Sequence, residues 1–407
     1  MGVYSEKICL SENLVKLRKK AGMTQRQLAD ELCVSDKTVS KWERGLGYPE
    51  IHQLLNLSRV FSVSADSLLR GGSSGIAIAG NMLTDRVKTI NAYPERQMLA
   101  TISSVSLAVG GCVPNTAINL AKIDPSIPVK AVGRVGGDED GRYIINELRK
   151  NRINTENVLI SKDKMTSFSD VMNAADTGER TFFHYRGANA ELSPDDIPLR
   201  KLNCRMLHIG YILLLDMFDR ENSEYGTEMA RFLRKAQDAG MRTSIDVVSD
   251  SEGKFDKIIP ALKYTDTAVM NEIEGCGAAH LPPRDKNGVL IKENIRKAME
   301  RLMSYGVCER VILHCPEAGF ILNISGQFTA VPSLCLPDGF IKGSVGAGDA
   351  FCAGCLYGIY NGYNDKQILE FASGAAALNL SAEDSVSGMK DAEQIKKFIK
   401  NTKRNRI

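Results

Sequence analysis

With 407 residues, 43% of them hydrophobic and 25% charged, the chain has the composition of an ordinary folded protein and the length of about two or three domains. It has no uninterrupted apolar run of membrane-spanning length, and its first residues lack the order of a signal peptide, so a cytoplasmic protein with no membrane partner is expected. Residues 1–70 carry 11 Lys and Arg against 8 Asp and Glu, the whole of the +3 net charge, which is compatible with a nucleic-acid partner in the first sixth of the chain.

From the N-terminus, Ser11–Ala21 is predicted to be an amphipathic helix. Leu14 and Leu17 lie on one face, Lys16, Arg18, Lys19 and Lys20 mostly on the other, and Gly22 ends it. Thr24-Gln25-Arg26-Gln27 fits a capping box, in which Thr24 accepts from the Gln27 amide while Gln27 reaches back. Leu28, Ala29 and Leu32 form the buried face of this second helix. Ser35 is a good N-cap for a third helix reaching about Arg44. Two short helices joined by so short a turn have the spacing of a helix-turn-helix. The Gly- and Ser-rich stretch from Arg70 to Gly75 reads as a flexible junction. The expected organisation is therefore a helical domain over 1–70, a linker over 71–75 and a second domain over 76–407.

After Ile76 the pattern changes. Short apolar runs (Ile76–Ala79, Val129–Val135, Met206–Ile209, Ser244–Val248, Ala268–Met270, Val311–Leu313) alternate with amphipathic stretches such as Glu228–Ala239 and Ile295–Tyr305. This predicts an α/β fold, a doubly wound and mostly parallel sheet, with β-rich additions near 84–109 and 166–187. The ten cysteines are scattered; only Cys352 and Cys355 form a CxxC, which reads as buried thiols in a helix. The segment GSVGAGDAF, Gly343–Phe351, follows a strand and loop and opens a helix reaching about Tyr360. Its bare glycines let amides at a helix N-terminus point at an anion. A carboxylate beside such a site, here Asp349, suits removal of a proton from a hydroxyl that attacks phosphorus. By itself, a Gly-rich turn is more often structural than catalytic.

The string TQRQLADELCVSDKTVSKWERG, residues 24–45, resembles the Cro/repressor-type (XRE) helix-turn-helix family, with matches that include Thr24, Gln25, Leu28, Ala29, Val34, Ser35, Val39, Trp42 and Gly45. The resemblance implies that the helix opened by Ser35 enters the major groove of duplex DNA. Lys37, Thr38 and Lys41 would contact bases or phosphates, with Ser35 counted among the DNA-binding residues and Gln25 holding a phosphate. A helical module that only mediates protein contacts is the alternative for this segment.

GAGDAF resembles the second signature of the ribokinase-like (PfkB) carbohydrate kinases, and four further segments resemble that family in the expected order. They are Gly80–Asp85, Gly110–Ala117, Val132–Gly141 and Asn271–Glu274. The resemblance implies ATP-dependent phosphorylation of a sugar or sugar-acid hydroxyl. Asp349 would be the general base, and the amides of Gly346, Ala347 and Gly348 the anion hole. Asn271, Glu274, Ser344, Gly346 and Gly348 would lie at ATP, with Glu274 serving magnesium through water, while Asp85, Gly110, Gly111 and Asn115 would hold the sugar. Glu179–Arg186 resembles the lid strand of fructokinases and 2-keto-3-deoxygluconate kinases, where Arg186 would either pair with a sugar-acid carboxylate or serve as a structural arginine. Residues 84–109 and 166–187 would form a β lid, and because many such kinases dimerise through the lid, a homodimer is implied.

There are departures from the family. Gly343-Ser344-Val345 stand where it commonly has Asp-Thr-Thr, which puts activation by a monovalent cation in doubt, and Pro316 stands where a Gly near ATP is usual. His184, His208 and His314 have no ligand-like spacing and are assigned no catalytic role. Two function classes follow: an active sugar kinase tethered to a DNA-binding module, or a transcription factor whose kinase-like domain only senses a sugar or nucleotide. Retention of Asp349 with the whole glycine turn favours the first.

Overall fold

The computed structural model describes residues 9–406 apart from 62, 64, 70–73, 178 and 249–253. Residues 71–73 of the expected linker thus lie outside the described residues. The chain divides into two compact units, Met1–Ser74 and Gly75–Ile407.

The first unit is all helical, with helices at Leu10–Lys20, Gln25–Glu31, Asp36–Glu43, Ile51–Val60 and Ala65–Leu69. Local sequence sets their starts. Thr24 and Gln27 form the reciprocal capping box, and the Ser35 hydroxyl accepts from the Thr38 amide, each cap contributing about 1 kcal/mol. Leu14, Leu28, Val39, Trp42, Leu57 and Leu68 close a small core. A half-buried ion pair ties the first helix to the third: Arg18 Nε lies 2.5 Å from Glu43 Oε1.

The second unit is built on a nine-stranded sheet. Its chain-ordered strands are β1 (Ile76–Gly80), β2 (Leu83–Ile90), β3 (Ile102–Gly110), β4 (Val129–Gly136), β5 (Asn154–Ser161), β6 (Ser167–Ala174), β7 (Arg180–Tyr185) and β8 (Met206–Ile212). They continue through the short pair β9 (Glu221–Asn222) and β10 (Gly226–Thr227) to β11 (Arg242–Val247), β12 (Thr267–Asn271), β13 (Arg310–His314), β14 (Ala318–Asn323) and β15 (Phe328–Pro332). The sheet order is β15-β14-β13-β12-β11-β8-β1-β4-β5, parallel from β13 to β5, with β14 and β15 antiparallel at one edge. Side chains of β1 alternate between two cores: Ala77 and Ala79 face one, Ile76 and Ile78 the other. Both faces are covered, which is why the central strands read as continuous apolar runs.

β2, β3, β6 and β7 form a separate four-stranded sheet in the order β3-β2-β6-β7. These are the β-rich additions expected near 84–109 and 166–187. The direction of strand addition reverses between β1 and β8, where α/β sheets place ligands beyond the carboxyl ends of their strands. There Gly80 pairs with Gly210, and a Cβ on Gly80 would lie 1.5 Å from the Gly210 carbonyl oxygen, so the two backbones approach as only glycine permits. Among the described residues no helix is long and apolar enough to cross a membrane.

Candidate active site

Two cavities meet at the carboxyl ends of the central strands. The larger, about 970 Å³, is lined by Asp85, Gly111, Asn115, Arg180, Lys342 and Asp349 among others. The smaller, about 260 Å³, is lined by Asn271, Glu274, Ser344, Gly346, Ala347 and Gly348, and again by Asp349. Asp349 therefore stands where a ligand in one cavity faces a ligand in the other.

Its position follows from the glycine turn. Gly346 adopts φ +73° as N-cap of the helix Ala347–Tyr360, so the first-turn amides of that helix open toward the smaller cavity with Asp349 in the same turn. The buried Asp349 carboxylate accepts from Asn115 Nδ2 at 2.9 Å and from the Tyr211 hydroxyl at 3.0 and 2.9 Å to its two oxygens. Asn115 is held in turn by Ser385, whose Oγ donates to Asn115 Oδ1 at 2.6 Å. Burial and nearby Asp246 push the Asp349 carboxyl up to about 8, against the pull of its two donors. Burial and the same Asp349 hold the Tyr211 phenol well above its ordinary value, so it stays protonated and donates.

Asp85, Ser169 and His184 are register partners on β2, β6 and β7, and all three face the larger cavity. Burial pushes the Asp85 carboxyl up to about 7. Gly111, at φ +86°, precedes the helix Cys112–Ile123, where a Cβ would lie 2.7 Å from the Asn81 carbonyl oxygen. Gly110 is not a lining residue; a Cβ there would come within 2.3 Å of Asp85 Oδ2, so its bareness makes room for that carboxylate.

Of the two roles open to Arg186, the structure favours the structural one, since it does not line the larger cavity. β7 presents Arg180, Phe182 and His184 to the cavity by strand alternation, but it ends at Tyr185. Arg186 turns into the following 3-10 segment and donates to the Leu213 carbonyl at 3.2 Å and to Asp216 at 2.9 Å. The lining arginine is Arg180, three face-repeats earlier. Tyr211 and Asp246 were missed altogether, since no local motif marks either.

Glu274 is buried in the wall of the smaller cavity, and its two oxygens accept from the Asn271 backbone amide at 3.0 Å and from Asn271 Nδ2 at 2.8 Å. A hard carboxylate so oriented suits magnesium or its water shell. Burial holds His314, on the same wall, down at about 4 and therefore neutral. At Gly343 a Cβ would meet the carbonyl oxygens of Glu383 and Ala382 at 2.9 and 3.0 Å, so an aspartate does not fit there without movement.

In the first unit Lys37 and Lys41 are exposed on one side of the helix Asp36–Glu43, while Val39 and Trp42 are buried on the other. Thr38 is half-buried, and its hydroxyl pairs with that of Ser35 at 2.7 Å. The Gln25 side chain does not point away from the protein: its Nε2 donates to Glu43 Oε2 at 2.7 Å, beside Arg18. Burial would raise the Glu43 carboxyl, but Arg18 and Gln25 hold it below its ordinary value.

Known proteins resemble both parts of the chain. Residues 14–68 match a helix-turn-helix family model, and 48% of 61 residues are identical to the HTH-type transcriptional activator BcrR of Enterococcus faecalis, over 15% of this chain and 30% of that protein. The chain is 25% identical over 307 residues to a 5-dehydro-2-deoxygluconokinase of Geobacillus thermodenitrificans, covering 72% of this chain and 85% of the relative. In fold it is similar to the ribokinase of Arabidopsis thaliana solved with ribose and ATP, at TM-score 0.67 and 20% identity, over 81% of this chain and 99% of that one. Residues 75–392 match the model of the pfkB family of carbohydrate kinases, and the chain belongs to that family, with a helix-turn-helix segment ahead of its kinase domain.

Proposed function

We propose that the second unit transfers the γ-phosphoryl group of ATP to a hydroxyl of a sugar acid, and that the first unit binds duplex DNA in a sequence-specific manner. The observation that carries the kinase reading is the place of Asp349, between an acceptor cavity and a turn of helix-terminal amides. In this reading Asp85 and Asn115 hold acceptor hydroxyls, and Asp349 takes the proton of the attacking one. The amides of Gly346, Ala347 and Gly348 stabilise charge on the transferring group. Glu274, aligned by Asn271, would serve magnesium, which supplies charge neutralisation on the phosphates when bound.

The acid-substrate part rests on Arg180 and Lys342 in the larger cavity, together with the kinases of 5-dehydro-2-deoxygluconate among the relatives. Replacing Arg180 by Gln is expected to raise KM for 5-dehydro-2-deoxygluconate about tenfold or more while changing that for a neutral ketose little, because a charge-assisted bond contributes about 1.5–3 kcal/mol. Steady-state kinetics on both acceptors checks it. Equal changes in the two KM values would remove the carboxylate contact.

The base must be ionised to act, so kcat/KM is expected to rise with pH through a limb near 8, the value to which Asp349 is pushed. Tyr211 donates to the carboxylate and favours its charged form. Tyr211→Phe removes that donor and should move the limb to higher pH, as a positioning residue does. A profile of lower amplitude with an unmoved limb would show that Tyr211 does not tune Asp349.

For the first unit, Lys37 and Lys41 are one helical turn apart on the exposed side of the third helix. The intact protein is expected to shift duplex DNA, with affinity that weakens as salt rises, and the double substitution Lys37→Ala, Lys41→Ala should reduce both the affinity and the slope on salt. Gel-shift titrations at two salt concentrations read both. Unchanged binding would assign the unit to protein contacts.

A further inference from the structure

Beside the smaller cavity lies a second cluster, of which only Asp246 bears on the transfer site, through its effect on Asp349. Cys112 Sγ, a ring nitrogen of His208 and a carboxylate oxygen of Asp246 lie within 4.8 Å of one another, and all three residues are buried. They come from the start of the helix Cys112–Ile123, the middle of β8 and the end of β11, elements adjacent only through the fold. His208 Nε2 lies 3.3 Å from Asp246 Oδ2 and 3.6 Å from Cys352 Sγ. The other ring nitrogen, Nδ1, lies 3.1 Å from Ser244 Oγ.

We propose that Cys112, His208 and Asp246 form a site for a thiophilic divalent cation of the zinc type, with water as its fourth ligand. The donor set is that of tetrahedral zinc, whose bonds to N, O and S of about 2.0–2.3 Å give ligand-to-ligand edges of roughly 3.3–3.6 Å. The separation of His208 from Asp246 falls on those edges. Ser244 stands where a partner orients a ligating imidazole and fixes which nitrogen faces the metal. A second observation points the same way. Asp246 Oδ1 is buried without a hydrogen-bond partner among the described residues, an arrangement that costs free energy unless something else satisfies it. Gly210 keeps the space open: a Cβ there would lie 1.7 Å from Asp246 Oδ1 and 2.8 Å from Cys112 Sγ. Asp246 also lines the smaller cavity, which gives the ion its route in. On binding, the Cys112 thiol exchanges its proton for a sulfur–metal bond, and the proton leaves to solvent.

The test uses cobalt as a spectroscopic probe on the chelator-stripped full-length protein. About one equivalent of cobalt per chain should produce a thiolate-to-cobalt charge-transfer band with the d–d bands of a tetrahedral site, and zinc should bleach both. The bands should be lost in Cys112→Ser and kept in Cys308→Ser, a cysteine on the exposed surface. Ser244→Ala should weaken zinc affinity by about 10–100-fold. Wild-type protein without these bands would overturn the proposal, as would bands of equal strength in Cys112→Ser. His208 would then be a core histidine satisfied by Ser244 and Asp246 alone. Should Cys112→Ser fail to fold, wild-type protein decides the matter through its melting temperature, which stoichiometric zinc should raise; no rise would count against the site.

Discussion

Replacing Asp349 by Asn is expected to lower turnover by about 10²–10⁴-fold while leaving the fold and acceptor binding nearly intact. The substitution keeps the shape of the side chain and removes only its capacity to take a proton. The site already disfavours charge, since burial pushes the carboxyl up to about 8, so a neutral amide there costs little stability. One of the two donors facing it, Asn115 or Tyr211, loses an acceptor, a modest effect beside the loss of the base. Turnover measured together with acceptor binding by calorimetry separates the two contributions. A mutant with turnover within a few-fold of wild type would remove Asp349 from the chemistry.

Gly346→Ala is expected to reduce turnover by about 10²–10³-fold, the range for loss of one oxyanion donor. Residue 346 has φ +73°, which costs an L-residue roughly 1–2 kcal/mol, and its new Cβ would lie 2.3 Å from Ser385 Cβ. Ser385 holds Asn115, and Asn115 donates to Asp349, so the collision disturbs the anion turn and the base together. Gly362→Ala is the matched control. It has φ +74° with nothing within 4 Å of the added carbon, and it lies past the opposite end of the same helix. That variant should lose some stability and keep its turnover. Equal activity in the two variants would show that backbone strain, and not the anion turn, governs the response.

What was legible in the sequence was what is local. The caps at Thr24 and Ser35 are decided by residues within three positions, and the helices start where those residues say. The apolar runs located β1, β4, β8, β11, β12 and β13 because those strands are covered on both faces. The edge pair β14 and β15 lacked so plain a signal. At the site, Asp349, Asn115, Gly111 and Asp85 were readable because each sits in a motif with its own turn or cap. Tyr211 and Asp246 were not, since they meet Asp349 only after β8 and β11 are laid side by side, with 138 residues between Tyr211 and its partner. Arg186 shows the limit of alternation as a guide: it has the parity of Arg180, but the strand stops one residue before it.

The two units raise a question of coupling that binding measurements settle. If acceptor or nucleotide shifts the affinity of the intact protein for DNA, DNA must shift acceptor or nucleotide affinity by the same factor. The kinase reading stands or falls apart from this. Its most direct test is transfer of labelled γ-phosphate from ATP, with magnesium, to 5-dehydro-2-deoxygluconate and to a panel of neutral sugars, by wild type and Asp349→Asn side by side. Labelled sugar-acid phosphate from wild type, reduced by at least about 10²-fold in the variant, is the result predicted. Wild-type protein that binds the acceptors and ATP yet transfers label to none of them would contradict the account and leave a sensor in place of a kinase.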